Sequence, residues 1–360
     1  PPALPSYPVG LTFAAENYCN GWLMMGSTFE GTCGGKPGWR AFGNHFKSSA
    51  NGIGRAIGNV VGTVDGAWNS TYLSTYGAEG RYNVVYGSVT SANGGNFYHN
   101  VIHNNYVFGS SGAIVEDNGI YGDIVFQSNR NGGTFQRNTV HGEVSGSTSS
   151  HIFTNNHLLG GISSGGSTWT LKGNIIAGGI AVSGNLGRWE VVNNTIFLDG
   201  EHDAALQLAG AGWFVANNAF VWTGLQQLPH VALLQGDASY APSALLNNAF
   251  IGFGGEGGVF YEVSGGSQYT NVSYMEAFVT ASCGNEDNLV FDDAEAAGFV
   301  TTDTDLPQFL KLDSQSPLAE AGMSLPVTCG SYTVQPFETD IDGEAMPCSV
   351  LPIGADDSCQ

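Results

Sequence analysis

The chain has 360 residues, 53 of them glycine, and a formal net charge of −21 from 10 Lys plus Arg against 31 Asp plus Glu. That balance leaves no basic stripe to displace counterions from a phosphate backbone, which excludes nucleic acid as a partner. With 42% hydrophobic and 11% aromatic residues it is too apolar for low-complexity disorder, and no apolar run approaches the ~18 residues of a membrane span.

The chain opens at Pro1-Pro2-Ala3-Leu4-Pro5, without Met and without a charged-then-apolar leader. We therefore expect a secreted or surface protein with its signal peptide removed. Cys19 and Cys33 lie near the start, and Cys283, Cys329, Cys348 and Cys359 near the end. There is no CxxC and no His at zinc-ligand spacing, so the even number reads as a disulfide framework from an oxidising compartment. The expected pairing is the local one: Cys19–Cys33, Cys283–Cys329 and Cys348–Cys359.

Between the cysteines the chain repeats. An asparagine recurs at positions 59, 83, 100, 118, 138, 156, 174, 194, 218 and 248. A period of about 20 residues is too short for ankyrin, tetratricopeptide or propeller repeats and fits one coil of a parallel β-helix. Three residues before the asparagine an apolar row runs through Phe97, Val115, Phe135, Phe153, Leu171, Val191, Val215 and Leu245. Two residues after it another runs through Val85, Ile102, Ile120, Val140, Leu158, Ile176, Ile196, Phe220 and Phe250. Strand pleating turns such rows inward, and stacked coils align them into core ladders. The asparagine sits at the bend, where its amide can satisfy backbone that the strands cannot reach. Trp169, Trp189 and Trp213 fall at one repeat position and are expected to stack in one column, as a core aromatic ladder or as a sugar-stacking platform.

The expected fold is all-β: a right-handed parallel β-helix (solenoid) of about ten short coils, handed by the general crossover rule and capped at both ends by disulfide-bonded irregular segments. Residues 1–50 form an N-terminal arm and cap, 51–265 the coils, and 266–360 a C-terminal capping segment, in one structural domain. Open strand edges at the solenoid ends invite self-association unless covered.

The asparagine ladder resembles that of the pectate-lyase-like β-helix superfamily. The tail strengthens the likeness. Ser316-Pro317-Leu318-Ala319-Glu320-Ala321-Gly322, then Asp340-Ile341-Asp342-Gly343, then Pro352-Ile353-Gly354-Ala355-Asp356 resemble the "SPAIDAG", "DIDG" and "DIGA" closing segments of secreted bacterial right-handed β-helix proteins. The resemblance implies the architecture. It implies no single activity, because that superfamily mixes polysaccharide lyases, glycoside hydrolases and adhesins. The Lys/Arg-rich, calcium-dependent lyase sites and the paired aspartates of the polygalacturonase-like hydrolases have no match here.

Outward rows map the candidate surface. Three residues after the asparagine stand Tyr86, His103, Tyr121 and His141; two further on, Asp123 and Glu143; immediately before it, Tyr82, His99, Asp117, Arg137 and Asn155. Titratable groups thus bunch on a few neighbouring coils. If catalytic, His103, Tyr121 and His141 would move protons beside Arg137, which would steer a uronate carboxylate. Asp123 and Glu143 would form a carboxylate pair suited to glycoside hydrolysis. Tyr86, His99, Asp117 and Asn155 would contact substrate. The expected function is engagement of an extended polysaccharide or cell-surface glycan at a secreted or surface location, as a lyase or glycoside hydrolase if it is an enzyme. The alternative is a non-catalytic structural or adhesive role as spike, filament subunit or attachment module. No cofactor is required by the sequence. Asp340, Asp342 and Glu344, half of a calcium-loop pattern, are the candidate ligands for Ca²⁺.

Overall fold

Each coil is set by a two-residue bend. The residue before each repeat asparagine takes the left-handed conformation: Gly58 (φ 64°), Tyr82 (54°), His99 (54°), Asp117 (56°), Arg137 (50°), Asn155 (56°), Gly173 (62°), Asn193 (57°), Asn217 (60°) and Asn247 (53°). The asparagine then turns inward and bonds to the next one in line. The computed structural model describes residues 12–13, 23–30, 32–34, 40–64, 71–92, 95–109, 111–127, 132–147, 150–166, 168–183, 187–198, 203–223, 230–237, 239–254, 258–303, 309–313, 315–319, 321–323, 326–329, 332–334 and 352–355. They fall into two compact units, Pro1–Thr148 and Ser149–Gln360. Both are parallel β-solenoid; strand makes up 49% and helix 3%.

In the first unit the strands that follow the bend pair in parallel and in register: Thr28–Phe29, His45–Phe46, Val60–Val61, Val84–Val85, Val101–Ile102, Gly119–Ile120 and Thr139–Val140. Val85, Ile102, Ile120 and Val140 therefore stand in one file, all buried. The strands before the bend, Asn96–Tyr98, Ile114–Glu116 and Thr134–Gln136, align Phe97, Val115 and Phe135 likewise. A third set, Ser88–Ala92, Tyr106–Gly109, Ile124–Phe126 and Val144–Gly146, completes the coils. The ladder amides donate Asn59 to Asn83 at 3.0 Å, Asn83 to Asn100 at 2.8 Å, and Asn100 to Asn118 and Asn118 to Asn138 at 2.9 Å. Asn44, which the repeat alone did not reveal, donates to Asn59 at 3.0 Å from a bend at Gly43 (φ 61°).

The second unit repeats this plan. Asn156, Asn174, Asn194, Asn218 and Asn248 continue bonding in line, and Asn288 follows at 3.2 Å from Asn248. Trp169, Trp189 and Trp213 stack at 5.0 and 5.1 Å and are fully buried. Their indoles are core, and Trp189 and Trp213 donate to the carbonyls of Gly166 and Ala209.

After Leu289–Phe291, described residues of the C-terminal segment pack on the outer face of this unit. Ala297, Phe299, Phe309, Leu310, Leu312, Leu318, Ile353 and Ala355 pack on the outward residues Ile175, Ala177, Phe197, Ala219, Val221, Ala249 and Ile251. The tail motif is thus a latch. Asn217 Nδ2 donates to Pro352 O at 2.6 Å, Gly354 N to Asn217 O at 3.1 Å, and Ala355 N to Thr195 Oγ1 at 3.0 Å. Asn247 Nδ2 holds Ala321 O at 2.9 Å. Cys283 and Cys329 form a disulfide with Cα atoms 5.5 Å apart, against Phe214, Ala216 and Leu246. Cys33 is buried. Its expected partner Cys19, and the pair Cys348–Cys359, lie outside the described residues.

Candidate functional site

In the first unit each ladder strand offers three outward positions, and the side chains at these positions align from coil to coil. The position three after the asparagine gives a continuous ring stack. Tyr86 lies 4.7 Å from His103, His103 5.2 Å from Tyr121, and Tyr121 4.7 Å from His141, with interplanar angles of 15°, 6° and 5°. Tyr121 is 54% exposed. At the bend position Tyr82 stacks on His99 at 5.0 Å, His99 Nδ1 stands 3.6 Å from Asp117, and Arg137 binds Asp117 at 2.8 and 3.1 Å and also Glu116. Between these two files lie Val84, Val101, Gly119 and Thr139, each half-buried. The result is a shallow channel with a floor of small residues between two polar walls. Bulky residues are uncommon at positive φ, yet one wall is built on Tyr82, His99 and Arg137 at that position.

The rings meet face to face, so their faces cover one another and the edges turn outward. A sugar cannot stack flat on rings already sandwiched; it can meet their hydroxyls and ring nitrogens. Burial between its neighbours holds the His103 imidazole below its ordinary value of 6.5. The neutral ring, at once donor and acceptor, is therefore the form present at neutral pH. Followed by NMR, His103 should titrate below 6.5, and Tyr121→Ala should move its midpoint upward by opening one ring face to water. An unchanged midpoint in that variant would contradict the stack.

Other expected roles are altered by the geometry. Arg137 is already engaged by Asp117 and Glu116, which raise its pKa, so it offers no spare charge to a uronate. Glu116, the second anchor, was not apparent in the sequence because it lies diagonally across the coils. Asp123 is a backbone cap: its Oδ1 accepts from Glu143 N at 2.9 Å, just as Asn105 Oδ1 accepts from Asp123 N at 2.9 Å. A side chain on Gly142 would collide with that oxygen, at 2.3 Å. Asn105 and Asp123 thus form a second bend ladder that ends on Glu143 N, and one oxygen of Asp123 is already engaged.

Asn155, expected to face solvent and contact substrate, is only 1% exposed. Its amide folds over Gly173, where an added Cβ would lie 2.3 Å from Asn155 Oδ1, so it is withdrawn as a substrate contact. Asp340, Asp342 and Glu344 lie outside the described residues. Among the described residues no cluster of three or more His, Cys, Asp or Glu is placed to hold a metal ion, and no helix is long and apolar enough to cross a membrane.

The fold defines the class, a parallel β-solenoid carrying a polar channel on the outer face of its first unit. Against known proteins, no family model matches the chain and no curated protein matches it.

Proposed function

We propose that this chain is an extracellular or cell-surface β-helix, allied to the pectate-lyase-like superfamily, that holds an extended polysaccharide in the channel of its first unit and does not cut it. The observation that carries this reading is the file of Tyr86, His103, Tyr121 and His141, stacked at near-coil spacing with edges outward. Such a file repeats hydrogen-bonding groups in one direction, as a linear glycan repeats hydroxyls. Binding is favoured over catalysis because Arg137 is already paired and Asp123 caps backbone. The Cys283–Cys329 disulfide supports an oxidising, extracellular setting.

A glycan array probed with the whole protein, followed by assays for unsaturated uronate and for new reducing ends, tests the reading. Retention on at least one glycan, with no product released, is expected. Tyr121→Ala should weaken retention roughly tenfold, at the scale of one or two hydrogen bonds to a desolvated ligand. Product release would restore the enzyme reading. No retention on any glycan would leave the structural or adhesive role in its place.

A further inference from the structure

We infer that the channel of the first unit selects a neutral, extended β-1,4-linked glycan, laid along the stack with one sugar per coil; this rests on the polysaccharide reading above. Three observations converge on it.

The first is charge. Arg137 is paired with Asp117 and Glu116, and both Arg55 and Arg81 are paired with Glu79. Arg81 also lies over the Tyr98 ring, 4.5 Å from its centroid. Against the single Arg137 guanidinium stand four carboxylates, Glu116, Asp117, Asp123 and Glu143, so these coils keep a surplus of negative charge. A polyuronate would meet that surplus beside Tyr121 and His141, and like-charge juxtaposition discriminates strongly against a partner.

The second is the chemistry of the walls. Tyr86, Tyr121 and Tyr82 offer hydroxyls, and neutral imidazole both donates and accepts. Each of these groups can pair with a sugar hydroxyl as donor or acceptor. The floor of Val84, Val101, Gly119 and Thr139 suits the C–H faces of a flat sugar ribbon.

The third is periodicity. The rings are spaced 4.7, 5.2 and 4.7 Å apart, and an extended β-1,4 chain advances ~5 Å per sugar, about one strand spacing. Such a ribbon turns over at each sugar, so equivalent groups recur at every second residue. The wall alternates in the same way, Tyr86, His103, Tyr121, His141, so that like rings recur roughly every 10 Å, two strand spacings. A curved α-linked chain has no such match.

Isothermal titration of the whole protein with cellohexaose, mannohexaose, maltohexaose and hexagalacturonate at physiological salt tests this. At least one neutral β-1,4 hexasaccharide should bind about tenfold or more tighter than hexagalacturonate and maltohexaose. Its affinity should be indifferent to added salt, because no ion pair is formed. Tyr121→Ala and His103→Ala should each weaken it roughly three- to tenfold. Tyr121→Phe, which keeps the stack and removes only the hydroxyl, serves if the alanine variants melt early. Preference for hexagalacturonate, weakened by the same substitutions, would overturn the neutral-ligand inference and leave the polysaccharide reading standing. So would equal affinity for all four. Neutral binding unaffected by all three substitutions would move the site elsewhere and overturn the inference. If none of these four and no arrayed glycan bind, the polysaccharide reading falls and takes the inference with it.

Discussion

Asn194→Ala should cost about 3–6 kcal/mol, a large share of what a domain has to lose. Asn194 donates to Leu171 O, Val192 O and Asn218 Oδ1 at 2.9–3.0 Å, and its own Oδ1 accepts from Asn174 N and Nδ2 at 3.0 and 2.9 Å. The side chain is fully buried. Alanine strands several of these groups where water cannot replace the lost partner, and each unsatisfied group costs about 1–3 kcal/mol. Asn194→Asp should be no milder, since it keeps the acceptor but loses both N–H donors and buries a charge. Denaturant unfolding combined with amide exchange at Asn174 measures both effects. A loss under about 1 kcal/mol would show that the ladder amides are replaceable, contrary to their geometry.

Gly354→Val should release the C-terminal latch. Gly354 has φ 104°, and a Cβ there would lie 2.7 Å from Thr195 Oγ1 and 3.4 Å from Ala219 Cβ. A β-branched residue meets both the backbone strain of that region and the clash, together about 3 kcal/mol or more. The neighbouring contacts, Ile353 and Ala355 at 0% and 1% exposure, depend on the same docking. Once lifted, the segment bares Ile175, Ala219, Val221 and Ile251. Limited proteolysis should then cut near residue 350 while the circular dichroism of the coils persists, and a hydrophobic dye should bind. A tail as protected as in the parent chain would refute the latch.

Much of the fold could be read from the chain because a solenoid writes its contacts as a period. The inward files and the asparagine spacing lie at fixed offsets, and the strand registers match them residue for residue. Asn288 was hidden because a hairpin from Gly258–Val263 to Gln268–Tyr269 and the helix Val272–Phe278 separate it from Asn248. The use of the tail was hidden too. "SPLAEAG" and "PIGA" looked like a terminal signature, but their register on Thr195, Asn217 and Asn247 is long-range and leaves no periodic trace. For the site, the offsets correctly placed Tyr86, His103, Tyr121 and His141 in one file. They could not give ring orientation, which is a rotamer matter and which decides that edges rather than faces are presented. Nor could they show that Asn155 folds over Gly173, since whether an outward position is open depends on the size of the residue in the next coil.

The bend position carries a cost unevenly spread along the chain. Where it is Gly43, Gly58 or Gly173 the left-handed backbone is free of side-chain strain, and asparagine or aspartate tolerates it well. Tyr82 and Arg137 occupy the same backbone conformation without that tolerance. Selection for heat resistance alone would therefore push these two positions toward glycine or asparagine first, and would thin one wall of the channel while improving the scaffold. Stability and the chemistry of this face thus make opposing demands on the same backbone positions.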